Sequence, residues 1–297
     1  MQPPVLAIFG PTGVGKTALA HALADRLRAR GERPVAVSAD ALQVYSGLET
    51  LTGAADAADR ERLEHRLVSF VPVTDTFSAG AYARRAHAEI DALLAEGATP
   101  IVVGGTGLYL RAALADLDLR PAVDPALRAR WSARLAADGP AALHHELAAR
   151  DMALAARVRP SDGHRLVRTL ELLDAGQSPP RDEDTQLWTT QTRHPTRLVG
   201  LTMDRASLMA AIDARVDAMV AAGAAEEVRA ADAAGASDTA RKALGFEDLL
   251  RGDVDAMKTR TRRYAKRQLT WMRKLPDVEL VDVTHQHPVD VASALLP

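Results

Sequence analysis

The sequence predicts an α/β fold of the P-loop NTPase kind, a parallel sheet flanked by helices, with an all-helical insertion. Three observations predict it. Short apolar runs alternate with helical patterns over the opening third of the chain. A glycine-rich stretch, Gly10 to Thr17, lies between the first such run and the first helix. Strand signals then disappear between about residues 120 and 197. Strand, helix and strand at this spacing require crossover connections, and therefore parallel strands. A chain of 297 residues has room for such a domain and one elaboration.

Taken in order, residues 5–9 are an apolar run ended by Gly10-Pro11, which reads as a buried strand. A helical pattern spans residues 16–30, and a second strand, 34–38, closes on Asp40. Residues 78–96 read as a helix running into Gly97, and 99–103 as a third buried strand ending in Gly104-Gly105. Between 120 and 197, helical segments rich in Ala and Arg are punctuated by Asp138-Gly139-Pro140, by Arg159-Pro160-Ser161-Asp162-Gly163 and by the polar stretch 176–194. Residues 198–202 resume the sheet. Helices are predicted at 207–222, 224–234, 246–250 and 253–275, and a last strand at 278–283. Residues 1–119 and 198–297 are thus the expected catalytic core, and 120–197 the insertion.

Composition narrows the function. Hydrophobic residues make up 47% and charged residues 26%, which excludes a disordered, collagen-like or membrane-embedded chain. The absence of cysteine excludes disulfides, iron–sulfur clusters, thiolate zinc and cysteine nucleophiles. The chain has no asparagine, which removes N-glycosylation and any asparagine-dependent guanine-reading motif. No uncharged apolar run is long enough for a membrane span, and no basic segment precedes the first apolar stretch, so a cytoplasmic protein is expected. The net charge of −2 hides an asymmetry, because Arg241 to Lys274 holds eleven Lys or Arg against four Asp or Glu. Such a surplus can steer a polyanion.

Gly10-Pro11-Thr12-Gly13-Val14-Gly15-Lys16-Thr17 fits G-x-x-x-x-G-K-[ST] between a strand and a helix, as that motif requires. Its glycines let amide N–H groups and the helix N-terminus face an anion. Lys16 supplies a point charge, and Thr17 can offer a hydroxyl to Mg²⁺. The motif binds a polyphosphate without saying which one, so ATP is a candidate. No acid follows the third strand; the nearby carboxylate is Asp40, at the carboxyl end of the second, where it would face the ligand crevice. It could order Mg²⁺ water, accept a proton, or be a turn or cap residue only.

Four segments in this order, Gly10 to Thr17, Asp40-Ala41-Leu42-Gln43-Val44-Tyr45, Val103-Gly104-Gly105-Thr106-Gly107-Leu108-Tyr109 and Ala265-Lys266-Arg267-Gln268-Leu269-Thr270-Trp271, resemble the bacterial tRNA dimethylallyltransferases. The resemblance runs from about residue 5 to 275. It implies transfer of a dimethylallyl group from dimethylallyl diphosphate to N6 of adenine 37, in the anticodon stem-loop of tRNA. It implies that Gly10 to Thr17 hold the diphosphate, with Mg²⁺ near Thr17. Asp40 would be the general base, and Ala41, Leu42 and Gln43 part of the adenine-contacting segment. Thr106 and Arg128 match positions at the tRNA and reaction channel. His164, Arg165, Leu166, Val167 and Arg168 match a tRNA-contacting segment. Arg241, Lys242, Ala243, Leu244, Gly245 and Phe246 match another, whose arginine would lie near the diphosphate and join Lys16, Thr17 and Thr106 in catalysis. The chain is expected to act as a monomer and to bind no membrane. It departs from the family at Gly53-Ala54-Ala55, where a lysine and a proline are usual, and at Ala41, where serine is common.

On a helix over 257–275, Met257, Thr261, Tyr264, Ala265, Leu269 and Met272 share an inward face. Lys258, Arg262, Lys266 and Arg273 flank it on one side, and Arg260, Arg263, Arg267 and Lys274 on the other. These rows suit phosphate contacts, or are a solvated basic face. Trp271 and Tyr264 read as core anchors, and the histidines 144, 145, 164 and 194 lack metal-ligand spacing. Two rival readings share the P-loop: a small-molecule or nucleoside kinase using ATP, and a non-catalytic RNA-binding or switch NTPase.

Overall fold

The computed structural model describes residues 5–180 and 186–296. The elements begin β1 (Val5–Phe9), α1 (Lys16–Ala29), β2 (Arg33–Ser38), β3 (Tyr45–Ser46), α2 (Glu49–Thr52), α3 (Ala57–Arg62), β4 (His65–Arg66) and β5 (Val71–Pro72). They continue with α4 (Ala79–Ala95), β6 (Ala98–Gly104), α5 (Gly107–Leu114), α6 (Pro125–Arg150), α7 (Met152–Arg157) and α8 (Gly163–Asp174). The chain closes with β7 (Thr196–Thr202), α9 (Arg205–Ala221), α10 (Ala224–Ala233), α11 (Phe246–Leu250), α12 (Val254–Met272), β8 (Glu279–Asp282) and α13 (Pro288–Leu295). It forms two compact units, Met1–Leu117 with Gln186–Pro297, and Asp118–Thr185.

The first unit is built on a six-stranded sheet of order β4-β2-β6-β1-β7-β8, every pairing parallel. β1 lies inside, paired with β6 and β7, and all five of its residues are buried. A strand covered on both faces has no polar side to alternate with, which is why the apolar run was legible. Its core joins Ile8, Leu19, Leu23, Ile101, Leu201 and Ile212 with Ala265 of α12. The predicted strands and long helices all form. Between Asp40 and β5, however, the structure has four two- to six-residue elements and a separate β3-β5 pair that no periodicity announced. α5 was also unannounced. Nearly all its residues are buried, so it has no polar stripe to betray a helix.

The second unit is all helical, and its core is Trp131, Leu143, Leu147, Leu166 and Leu170. Asp138-Gly139-Pro140 breaks α6, where Gly139 has φ 78°, so two helices meet at a kink. Fully buried Glu171 accepts from Arg128 and from Arg168 Nη1 at 2.6 Å. Asp174 accepts from Trp131 Nε1 and Arg150 Nη1, each at 2.7 Å.

The insertion is shorter than the expected 120–197. Residues 186–194 belong to the sheet unit, where Arg193 N donates to Leu114 O at 2.8 Å and its guanidinium reaches Asp116 and Asp91. Of the polar stretch 176–194, residues 181–185 lie outside the described residues.

Candidate active site

The loop after β1 turns through Gly13 (φ 83°) and Gly15 (φ 93°), left-handed conformations that glycine adopts without steric cost. α1 starts at Lys16, so its unpaired N–H groups open toward the loop. Pro11 has no N–H to give, and Val14 is packed into the core, so these two contribute backbone shape only. Lys16 Nζ donates to Gly10 O and Pro11 O, both at 2.9 Å. Burial lowers its pKa to about 8. The negative charge of Asp40 resists that fall, and Arg215 adds to it.

Gln268, part of the fourth segment but assigned no role from the sequence, ties this loop to the neighbouring strand end. Its Oε1 accepts from Thr12 N at 2.9 Å, and its Nε2 donates to Gly105 O at 2.8 Å. It is buried on the inward face of α12 with Met257, Thr261, Ala265 and Met272. A polar residue in an apolar stripe is the signal that could have found it, because a buried amide must be satisfied.

A cavity of about 380 Å³ opens over the loop, and Lys16, Thr17, Asp40, Gln43, Arg215, Tyr264 and Gln268 line it. Asp40 follows β2 and accepts from Leu42 N at 3.0 Å, a side-chain turn that orients its carboxylate. Thr106 immediately precedes α5 and follows Gly105, which lines the cavity. Its Oγ1 accepts from Ala41 N at 3.4 Å and lies 3.3 Å from Tyr264 OH. Burial pushes the Tyr264 phenol up to about 12, with Asp40 adding to the rise, so it stays protonated near neutrality. Asp40 is thus the negative charge felt by Lys16, Arg215 and Tyr264.

The other residues singled out from the sequence are placed as follows. Arg241 does not line the cavity; Asp232 and Glu247 hold its guanidinium. The arginine at the cavity is Arg215 of α9, whose Nη2 donates to Thr52 O at 3.4 Å and whose burial lowers its pKa. The guanidinium lies against Gly53, where a Cβ would meet it. Gln43 spends its amide on the scaffold, accepting from Ser38 Oγ at 3.1 Å and donating to Gly53 O at 3.1 Å. Leu166, Val167, Ala243 and Phe246 are buried core residues, and Gly245 (φ 91°) abuts Met257. Their side chains offer RNA no surface. Leu244 lines the cavity, Lys242, His164 and Arg165 are exposed, and Arg128 and Arg168 are engaged by Glu171.

For a divalent cation, the Thr17 hydroxyl and the Asp40 carboxylate are oxygen donors on one cavity. Among the described residues no three His, Asp or Glu cluster as a metal cage. One or two protein oxygens completed by substrate phosphates is the donor set Mg²⁺ accepts, so the residues fit it.

The family model described as IPP transferase matches residues 43–275. A tRNA dimethylallyltransferase of Thermobifida fusca is 40% identical over 98% of this chain and 94% of its own. One from Anaeromyxobacter dehalogenans is 42% identical over 91% and 92%. Among solved structures, the tRNA isopentenylpyrophosphate transferase of Bacillus halodurans superposes with a TM-score of 0.69 at 29% identity, covering 99% of this chain and 96% of that one. A eukaryotic dimethylallyltransferase acting on tRNA shares the fold, with a TM-score of 0.77 at 24% identity over 99% of this chain and 77% of that one.

Proposed function

The chain belongs to the IPP transferase family and is a tRNA-modifying prenyltransferase, and from that premise we propose how its site works. The donor is dimethylallyl diphosphate and the acceptor N6 of adenine 37, beside the anticodon. The N6–C1 bond forms as the C1–O bond to diphosphate breaks, and the surplus amine proton passes to Asp40. The observation that carries this reading is that Asp40, Lys16 and Arg215 line one cavity.

Each group meets a need of the reaction. Negative charge grows on the departing diphosphate, and the loop amides, Lys16 and Arg215 are fixed in place to receive it. Exocyclic amines are weak nucleophiles, and a carboxylate at the amine supplies roughly 10²–10⁴-fold as general base. Tyr264 lines the cavity and is one hydrogen bond from Thr106, whose hydroxyl accepts from the Ala41 backbone N–H beside Asp40. When bound through Thr17, Mg²⁺ would add positive charge at the leaving diphosphate. To reach Asp40 the adenine must leave the base stack, which costs least in a loop.

The exposed residues of the helical unit, His164 and Arg165, serve the RNA rather than the chemistry. The chain acts as a monomer on cytoplasmic tRNA; no helix among the described residues is long and apolar enough to cross a membrane. Incubation with unmodified tRNA, dimethylallyl diphosphate and Mg²⁺, followed by mass analysis of the nucleosides, tests the reading. A dimethylallyl adenosine at position 37 is expected. ATP hydrolysis without any prenylated nucleoside would return the site to the kinase or switch readings.

A further inference from the structure

Arg111 of α5 is 3% exposed, and burial lowers its pKa. It has no carboxylate partner among the described residues, and its Nε has no hydrogen-bond partner. A buried guanidinium without a counter-charge is costly, so what it holds is informative. Its Nη2 donates to Gln186 O at 2.6 Å and Gln191 O at 3.0 Å, the two sides of the segment that returns to the sheet unit. Between those carbonyls the segment presents Trp188, a large aromatic left 38% exposed.

Trp188 does not stand alone. Its ring packs against Trp271 of α12 at 4.5 Å between centroids, and Lys274 Nζ lies 5.5 Å from its centre. Trp271 in turn lies over Gly107, where any Cβ would overlap the indole. Gly107 is two residues beyond Gly105, and Trp271 three beyond Gln268, and both Gly105 and Gln268 line the cavity. Along α12, Trp271 is seven residues from Tyr264, about 10 Å at the helical rise.

The charges around it are sorted. Lys258, Arg260 and Arg262, in the first half of α12, are neutralised by Asp217, Asp248 and Asp213. Arg263, Lys266, Arg267, Arg273 and Lys274 are exposed, and none has an acidic partner among the described residues. Cations left unpaired beside an exposed aromatic face complement single-stranded nucleic acid, whose bases offer flat faces and whose backbone carries the opposite charge.

We propose that Trp188 is a stacking platform for an unpaired nucleobase of the substrate RNA, one flanking the reacting adenosine. Arg111 is the positioning residue that holds the platform, and Trp271 the wall behind it. The proposal rests on the tRNA prenyltransferase reading and adds a recognition surface to it. A base in a duplex has no free face to give, so the partner is the loop rather than the stem.

The test compares Trp188→Ala, Trp188→Phe and Arg111→Lys by equilibrium binding to an anticodon stem-loop and to a blunt RNA duplex. Trp188→Ala should weaken stem-loop binding roughly five- to 150-fold, the range for one lost base–aromatic stack. Trp188→Phe should keep most of the affinity, and duplex binding should not change. The loss should fall on the KM for RNA and leave that for dimethylallyl diphosphate alone. Arg111→Lys should weaken the stem-loop too, and add little in the Trp188→Ala background, because both act through one ring. Tryptophan emission should be quenched by the stem-loop in the parent protein and less so in Trp188→Phe, a readout that survives if the alanine variant does not fold. Equal stem-loop affinity in parent and Trp188→Ala, or equal loss on stem-loop and duplex, would overturn the platform. So would a self-associated form that Trp188→Ala dissolves. Absence of prenyl transfer to any tRNA by the parent protein would instead overturn the functional reading itself.

Discussion

At the residue scale, Asp40 and Lys16 make separable predictions. Asp40→Ala should lower turnover about 10²–10⁴-fold while tRNA affinity changes little, because a general base acts only as the proton leaves. Single-turnover rates and RNA binding measured side by side decide this, and equal losses in both would remove its role as base. Lys16 is held at about 8 by burial, so in the free protein it is cationic below that pH and neutral above. Affinity for the diphosphate donor should therefore fall as pH rises through 8. In Lys16→Arg that decline should disappear, since a guanidinium keeps its charge there. A pH series of donor KM values checks both. Lys16, Thr17 and Asp40 were legible because each follows a strand end with a motif around it. Arg215 was not: it lies on a helix far along the chain, among many arginines, and only folding brings it over Gly53.

At the scale of elements, α12 joins chemistry and scaffold. Its inward stripe was readable from a 3.6-residue period, and its two basic rows from charge alone. That the first half of those rows is spent on acids of α9 and α11 needed the packing. Gln268→Ala should leave a buried carbonyl unpaired and free the Thr12 amide, costing about 1–3 kcal/mol of stability. The donor KM should rise with it. Thermal unfolding together with donor KM tests this, and an unchanged KM would mean that the phosphate loop keeps its shape without the bridge. The short elements between Asp40 and β5 stayed invisible for the opposite reason: two-residue strands have no period, and their positions come from hydrogen bonds such as Gln43 Nε2 to Gly53 O.

On the scale of the whole molecule, the chain departs from the sheet unit and returns to it on adjoining segments, held by Arg193 to Leu114 and Asp116. Replacing 118–185 by a short linker should leave a folded, donor-binding unit that no longer modifies tRNA. Full prenylation by that shortened chain would show that the helical unit does not serve the RNA. The existence of an insertion was legible from the loss of strand signals. Its end was not, because residues 186–194 are polar in composition yet anchored by buried Arg111 and by Arg193. The uneven neutralisation of α12 also has a thermodynamic signature. Five cations without acidic partners would gather small anions from the buffer and give up RNA's own condensed counterions on association. If all five met phosphates, the logarithm of the RNA association constant should drop with the logarithm of salt concentration at a slope of roughly −3.5 to −4.5. Silencing Lys258 or Arg262, already matched by aspartates, should barely tilt that line, so ionic strength alone distinguishes the paired from the unpaired cations of this basic stretch.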